Sequence, residues 1–144
     1  VKWGELDFLI VDLPPGTGDV QLSLAQKVPL AGAVMVTTPQ NVSLIDVKKA
    51  IDMWNRTSVK ILGMVENMSY MLNPVNGEKI QLFPKGDLEN YLKEKQIAKL
   101  TEVPFHPNVS VGSEAGVPIF ESDIDSAESK AFTVLADKIA GLLF

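Results

Sequence analysis

Leu6-Asp-Phe-Leu-Ile-Val-Asp-Leu-Pro-Pro-Gly-Thr-Gly-Asp19 decides how the rest of this 144-residue chain is read. Its first half, Leu6–Asp12, is apolar, rich in branched residues and closed by an acid, the composition of a parallel strand covered on both faces. Pro14, Pro15 and Gly16 end that run. From Asp19, placed to cap a helix, Val20, Leu24 and Val28 recur at four-residue spacing. A buried strand, a stiff turn and a helix in succession open an α/β unit.

The alternation repeats downstream. Gly32–Thr37 reads as a second buried strand, followed by Thr38-Pro39 and a helix from Asn41 or Ser43 whose Leu44, Val47, Ile51 and Trp54 share one face. Val59–Glu66 is a third strand, closing on Asn67. The polar stretch 69–86 is a hairpin-like excursion, because Pro74-Val75-Asn76-Gly77 is a turn signal in which Asn-Gly tolerates positive φ at both positions. Asp87 caps a short helix to about Lys95, Ile97–Val103 reads as a strand, and Pro104–Pro118 reads as a loop. A final helix from Asp125 or Ser126 to Leu143 carries Ala131, Val134, Leu135, Ile139 and Leu142 as its stripe. Strands alternating with helices in this way predict an α/β, doubly wound, mainly parallel sheet. Trp3 and Trp54 read as packing residues.

Composition narrows the function classes. Lys and Arg number 13 against 18 Asp and Glu, for a net charge of −5, with no block of basic residues. That excludes a nucleic-acid backbone as the main partner, since such binding rests on clustered cations. The absence of cysteine removes thiolate metal sites, disulfides and a cysteine nucleophile together. No apolar run approaches the ~18–20 residues of a membrane helix, and no signal peptide is recognisable. The expectation is one domain, in the cytoplasm, with no membrane partner. Because the chain begins at Val1 almost within its first strand, it is also expected to be a piece of something longer.

Ligands of open parallel sheets bind beyond the carboxyl ends of the strands, so the residues there carry the chemistry. Asp12 at a strand tip suits a Mg²⁺-bound water, and Gly16 and Gly18 let backbone N–H groups approach a phosphate at the start of a helix. The same residues also suit a plain strand-to-helix turn with a capping acid. Thr37-Thr38-Pro39-Gln40 either lines a site or starts a helix. Asn67 offers the donor and acceptor pair that an adenine edge needs, and is equally an ordinary turn residue.

Taken together, Asp-Leu-Pro-Pro-Gly-Thr-Gly-Asp-Val-Gln (12–21), Val-Thr-Thr-Pro-Gln-Asn-Val-Ser-Leu-Ile-Asp-Val-Lys-Lys-Ala (36–50), Gly-Met-Val-Glu-Asn-Met-Ser-Tyr (63–70) and Val-Pro-Phe-His-Pro with Gly-Val-Pro (103–118) resemble the Mrp/ApbC family over essentially the whole chain. Its members are deviant P-loop ATPases of the MinD/ParA group that carry and transfer iron–sulfur clusters. The resemblance implies ATP and Mg²⁺ as cofactors, with Asp12 the Walker-B-like acid holding Mg²⁺ through water. It implies Pro15-Gly16 as the switch segment under the γ-phosphate, Asn67 as the adenine contact, and Pro104, Phe105 and His106 as a loop closing over the base. It further implies a homodimer and iron–sulfur client or scaffold proteins as partners.

Two departures qualify the resemblance. The phosphate-binding pattern G-x-x-x-x-G-K-[ST] occurs nowhere in these residues, so 1–144 are expected to be the C-terminal part of a single P-loop NTPase domain, its N-terminal part with the P-loop missing, and inactive alone. Where the family has a Cys-Pro-x-Cys-Gly knuckle, this chain has Asn73-Pro74-Val75-Asn76-Gly77. Asn amides substitute poorly for thiolate on iron, which puts cluster carriage in doubt. His106, with no second histidine in the chain, reads as loop packing rather than a metal ligand. Two alternatives stand beside the carrier reading: a MinD/ParA-type positioning ATPase, and a non-catalytic scaffold that uses the 69–86 loop.

Overall fold

The computed structural model describes residues 1–14 and 16–144. Along the chain run α1 (Asp19–Lys27), β1 (Ala33–Thr37), α2 (Asn41–Arg56), β2 (Ile61–Asn67), β3 (Met71–Leu72) and β4 (Lys79–Ile80). After them come α3 (Leu88–Lys95), β5 (Lys99–Val103), α4 (Pro107–Ala115), α5 (Ile119–Ser122) and α6 (Ala127–Leu143). The main sheet is parallel throughout, in the order β1-β2-β5, and β3 and β4 form a separate antiparallel ribbon.

Helices cover both faces of that sheet, as a doubly wound α/β fold requires. On one face Leu44, Ile51, Met53 and Trp54 of α2 and Leu88, Tyr91 and Leu92 of α3 pack with Met35 and Met64. On the other, Val65, Leu100 and Val103 pack with Ala131 of α6, joined by Leu135 and Ile139. Side chains alternate across a strand, so adjacent residues Met64 and Val65 feed opposite cores. Ser126 starts α6 by accepting from the Ser129 amide at 3.1 Å, which satisfies one of the helix's unpaired N–H groups.

Several expectations are corrected. Leu6–Asp12 is not a strand: it pairs with no other backbone among the described residues, and Leu6, Phe8, Leu9, Ile10 and Val11 are all exposed. The stretch has a strand's composition without a neighbouring backbone to complete its ladder. Pro104–Pro118 is not all loop, since it contains α4. That helix buries nothing and so shows no apolar stripe; it is held by local devices, with Pro107 in its first turn, His106 Nδ1 accepting from the Asn108 amide at 3.1 Å, and Gly116 closing it at φ 70°.

Asp19 is the first residue of α1 rather than its cap, which is Gly18. In the ribbon's turn only Gly77 has positive φ, and the loop closes instead through the Asn73 amide donating to the Glu78 carbonyl at 2.8 Å and the Gly77 amide to the Asn73 carbonyl at 2.8 Å. Val134 and Leu142 fall on the outer side of α6, and Trp3 is exposed, whereas Trp54 is core.

Gly63 shows how closely β2 and β5 approach: a Cβ there would lie 2.6 Å from Leu100 Cγ and 2.7 Å from the Ala98 carbonyl oxygen. Because one obstacle is backbone, Gly63→Ala is expected to destabilise the protein by about 2 kcal/mol or more, read as a lower urea midpoint with an unchanged slope.

Candidate functional site

The parallel register brings three strand tips together, with Thr37 opposite Glu66 and Asn67 opposite Val103. Two backbone bonds stitch the loops beyond them: the Ser69 amide donates to the Val103 carbonyl at 3.0 Å, and the Phe105 amide to the Tyr70 carbonyl at 2.7 Å. The structure thus unites Asn67 with the Pro104–His106 segment. Pro104 is buried, while Phe105 and His106 are exposed. The Asn67 side-chain oxygen accepts from the Met68 amide at 3.0 Å, and Met68 stands at φ 52°. Thr38 is engaged in starting α2, with its hydroxyl 2.8 Å from Gln40 Oε1 and 2.7 Å from Ser43 Oγ.

Asp12 and Gly16 lie on a different footing. Both are exposed, and among the described residues no hydrogen bond joins their stretch to the strand tips. Gly16 has φ 96° with open space where a Cβ would stand, so its backbone is accessible to a ligand. What braces the Gly16 backbone is a residue inside the 12–21 motif. Gln21 is 3% exposed and donates through Nε2 to the Pro14 carbonyl at 2.6 Å and the Gly16 carbonyl at 3.1 Å. A glutamine in the first turn of a helix that follows a proline turn is the signal that could have found it. The expectation for Pro15 lies outside the described residues.

No local sequence signal marks the densest charge cluster among the described residues. Lys99 Nζ donates to Glu66 Oε2 at 2.6 Å and to Glu102 Oε1 at 2.9 Å, and also pairs with Glu89. Lys79 adds a longer pair to Glu102 at 3.8 Å and lies 3.9 Å over the Tyr70 ring. Glu66, Glu89 and Glu102 each present an oxygen within 4.8 Å of the others, the disposition of a cation site. Here the cation is the chain's own ammonium. Beside the cluster lies a cavity of about 190 Å³ bordered by Ser69, Tyr70, Lys79 and Lys85.

Burial opposes the charge on Lys99, but its hydrogen bonds to the glutamates outweigh that and hold its pKa above the ordinary value. Burial likewise pushes the Glu102 carboxyl up, and the Lys99 hydrogen bond, with the charges of Lys99, Lys79 and Lys85, overcomes it and leaves the pKa low. In the ribbon's turn, Asn73 Oδ1 accepts from the Val75 amide at 2.9 Å and Asn76 Oδ1 from the Glu78 amide at 3.0 Å. Asn76 Nδ2 also donates to Glu78 at 2.9 Å. Both asparagines therefore serve the turn.

Residues 1–140 match the ParA family profile described as the NUBPL iron-transfer P-loop NTPase. An iron-sulfur cluster carrier protein of Synechocystis is 49% identical over 142 residues, covering 98% of this chain and 40% of that protein. A solved nucleotide-binding protein from Archaeoglobus fulgidus, in complex with ADP, superposes with a TM-score of 0.69 at 38% identity, covering 88% of this chain and 54% of its own. The cell division ATPase MinD of Pyrococcus furiosus gives 0.59 at 25% identity, over 78% of this chain and 43% of its own. The chain spans less than half the length of the curated relatives it matches.

The charge cluster sets a pH signature. Glu102, with its pKa below the ordinary 4.5, contributes stability that is complete above that value and lost as pH falls through its folded-state pKa. Lys99, raised above 10.5, contributes stability that is complete below that value and lost as pH rises through its folded-state pKa. Urea midpoints should accordingly be level through neutral pH and fall at both extremes. In Lys99→Met, which should cost about 3 kcal/mol at neutral pH, the acid-side fall should shrink.

Proposed function

The chain belongs to the family of the NUBPL iron-transfer P-loop NTPases, and from that membership we propose that it is the C-terminal portion of an ATP-binding carrier or assembly ATPase for iron–sulfur clusters. The observation that carries this reading is the motif 12–21, kept whole within the matched residues, with Gly16 open to a ligand and Gln21 bracing its turn. The exposed Asp12 carboxylate and the accessible Gly16 backbone are chemically suited to Mg²⁺ and a nucleotide. When bound, Mg²⁺ neutralises charge on the phosphate oxygens.

In this reading Asp12 orients a water of that ion, the Pro15-Gly16 segment meets the terminal phosphate, and the Asn67 amide meets the adenine edge. Pro104, Phe105 and His106 border the base, mainly through backbone. The complex of the Archaeoglobus relative with ADP supports a nucleotide here. A homodimer and iron–sulfur clients or scaffolds are the proposed partners, and the cytoplasm the proposed location. Among the described residues, no helix is long and apolar enough to cross a membrane. The reading leaves cluster binding at the ribbon unsupported, because Asn73 and Asn76 are neutral and already hydrogen-bonded in the turn.

Phosphoryl transfer depends on a phosphate cradle and its lysine, and these 144 residues contain no such loop. The chain alone is therefore proposed to be without ATPase activity. In a polypeptide that also carries a Gly-Lys-Ser/Thr loop, Asp12→Ala should lower Mg-dependent turnover by about a hundredfold. Asn67→Ala should weaken ATP binding by about tenfold, the loss of one or two hydrogen bonds. Steady-state kinetics and equilibrium titration read both, and unchanged turnover in Asp12→Ala would overturn the assignment of that residue.

A further inference from the structure

We propose that Lys99 is a charge latch that fastens segment 79–89, comprising β4 and the start of α3, onto the tips of β2 and β5, so that ribbon and strand tips move as one unit. One ammonium faces carboxylates from three elements: Glu66 on β2, Glu102 on β5 and Glu89 on α3. Lys79 on β4 reaches Glu102 from the other side while lying over Tyr70, the residue before β3. The ribbon is thereby fixed to the cluster at its returning strand and at its root. Lys85, from the loop between β4 and α3, contributes a further positive charge near Glu102.

A second set of contacts holds the same segment to the β1–α2 connection and the first residue of α2. The Gly86 amide donates to the Pro39 carbonyl at 3.2 Å, and the Asp87 amide donates to Asn41 Oδ1 at 2.9 Å. A Cβ on Gly86 would meet that oxygen at 2.4 Å, so the approach leaves no room for a side chain. Segment 79–89 thus crosses the strand-tip end of the sheet, bonded beyond β1 and held by charge at β2 and β5.

The latch is unevenly loaded. Glu66 is only 11% exposed at its side chain and must keep its partner, because an unpaired buried carboxylate is costly. Glu89 is 57% exposed and can return to water at little cost. Release therefore begins at Glu89 while Lys99 stays with Glu66, and the ribbon follows only when Lys79 also leaves Glu102. The ribbon's outer turn, with Val75 almost fully exposed, is the part such a movement would displace most.

Native-state amide hydrogen exchange on the protein tests this directly. Glu89→Gln, at an exposed position, should speed exchange by about threefold in amides 85–89 while leaving β1 and α6 unchanged. Lys99→Met should enlarge the effect in the same residues, and Lys99→Arg, which keeps the charge, should restore most of the protection. If Glu89→Gln leaves exchange in 85–89 unaltered, or speeds it equally in α6, the latch is refuted. Should Lys99→Met fail to fold, the Glu89→Gln result decides alone. A nucleotide titration of wild type and Glu89→Gln reads the proposed ATP site separately, so failure of one reading leaves the other standing.

Discussion

The strand-tip end of this molecule hangs from β2, the strand with a neighbour on each edge and helices against both faces. Met64 on it has no exposed surface and Val65 almost none, and they face opposite cores. Burying such side chains contributes about 1.5–3 kcal/mol each, and both edges of the backbone are taken up in parallel ladders. The strand's direction is therefore fixed, and so is the point at which it emerges. Beyond Val65 the apolar sequence gives way to Glu66 and Asn67. Packing holds the strand up to that point, and charge and hydrogen bonding hold it afterwards.

This division explains what could be read in the sequence. The strands at 33–37, 61–67 and 99–103 and the helices α2 and α6 announce themselves because each buries an apolar face, and burial imposes a period. The helix α4 does not, because its cap, its proline and its terminal glycine hold it without burying a side chain. The Lys99 cluster was illegible for another reason. Glu66, Glu89 and Glu102 become neighbours only once β2 is set beside β5 in a particular register and α3 is folded back on them, and no local spacing encodes that. Gln21 fell between the two cases: its position was in view within the motif, but its partners, the Pro14 and Gly16 carbonyls, lie outside its helix and follow no local period.

The β3–β4 turn is held by its own backbone and asparagine contacts. A turn needs its backbone groups satisfied and one residue able to take positive φ, and Gly77 supplies the latter at φ 73°. Asparagine side chains are good at the former, since their oxygen reaches an amide two residues on. Asn73 to Val75 and Asn76 to Glu78 are both such contacts. The residues that stand where thiolates were expected thus have a complete structural occupation of their own. The ribbon projects from beside the strand tips, rooted at Tyr70.

Leu6–Asp12 is the most instructive departure, because its composition states what the segment would do beside a partner backbone. Parallel pairing needs another strand at about 4.8 Å, and among the described residues β1 is paired only with β2. The segment is nonetheless anchored: Phe8 within it meets the Phe144 ring edge-on at 5.4 Å, and Leu13 just beyond it packs against the α2–α3 core. It follows that Asp12 differs from the acid inferred at a buried tip. Burial would have made its charge costly and so demanded a cation, whereas an exposed carboxylate keeps its hydration and demands nothing. Accessibility is what an ion that retains its waters requires of a protein oxygen. The case for Asp12 therefore rests on its place beside a glycine turn braced by Gln21, and not on desolvation.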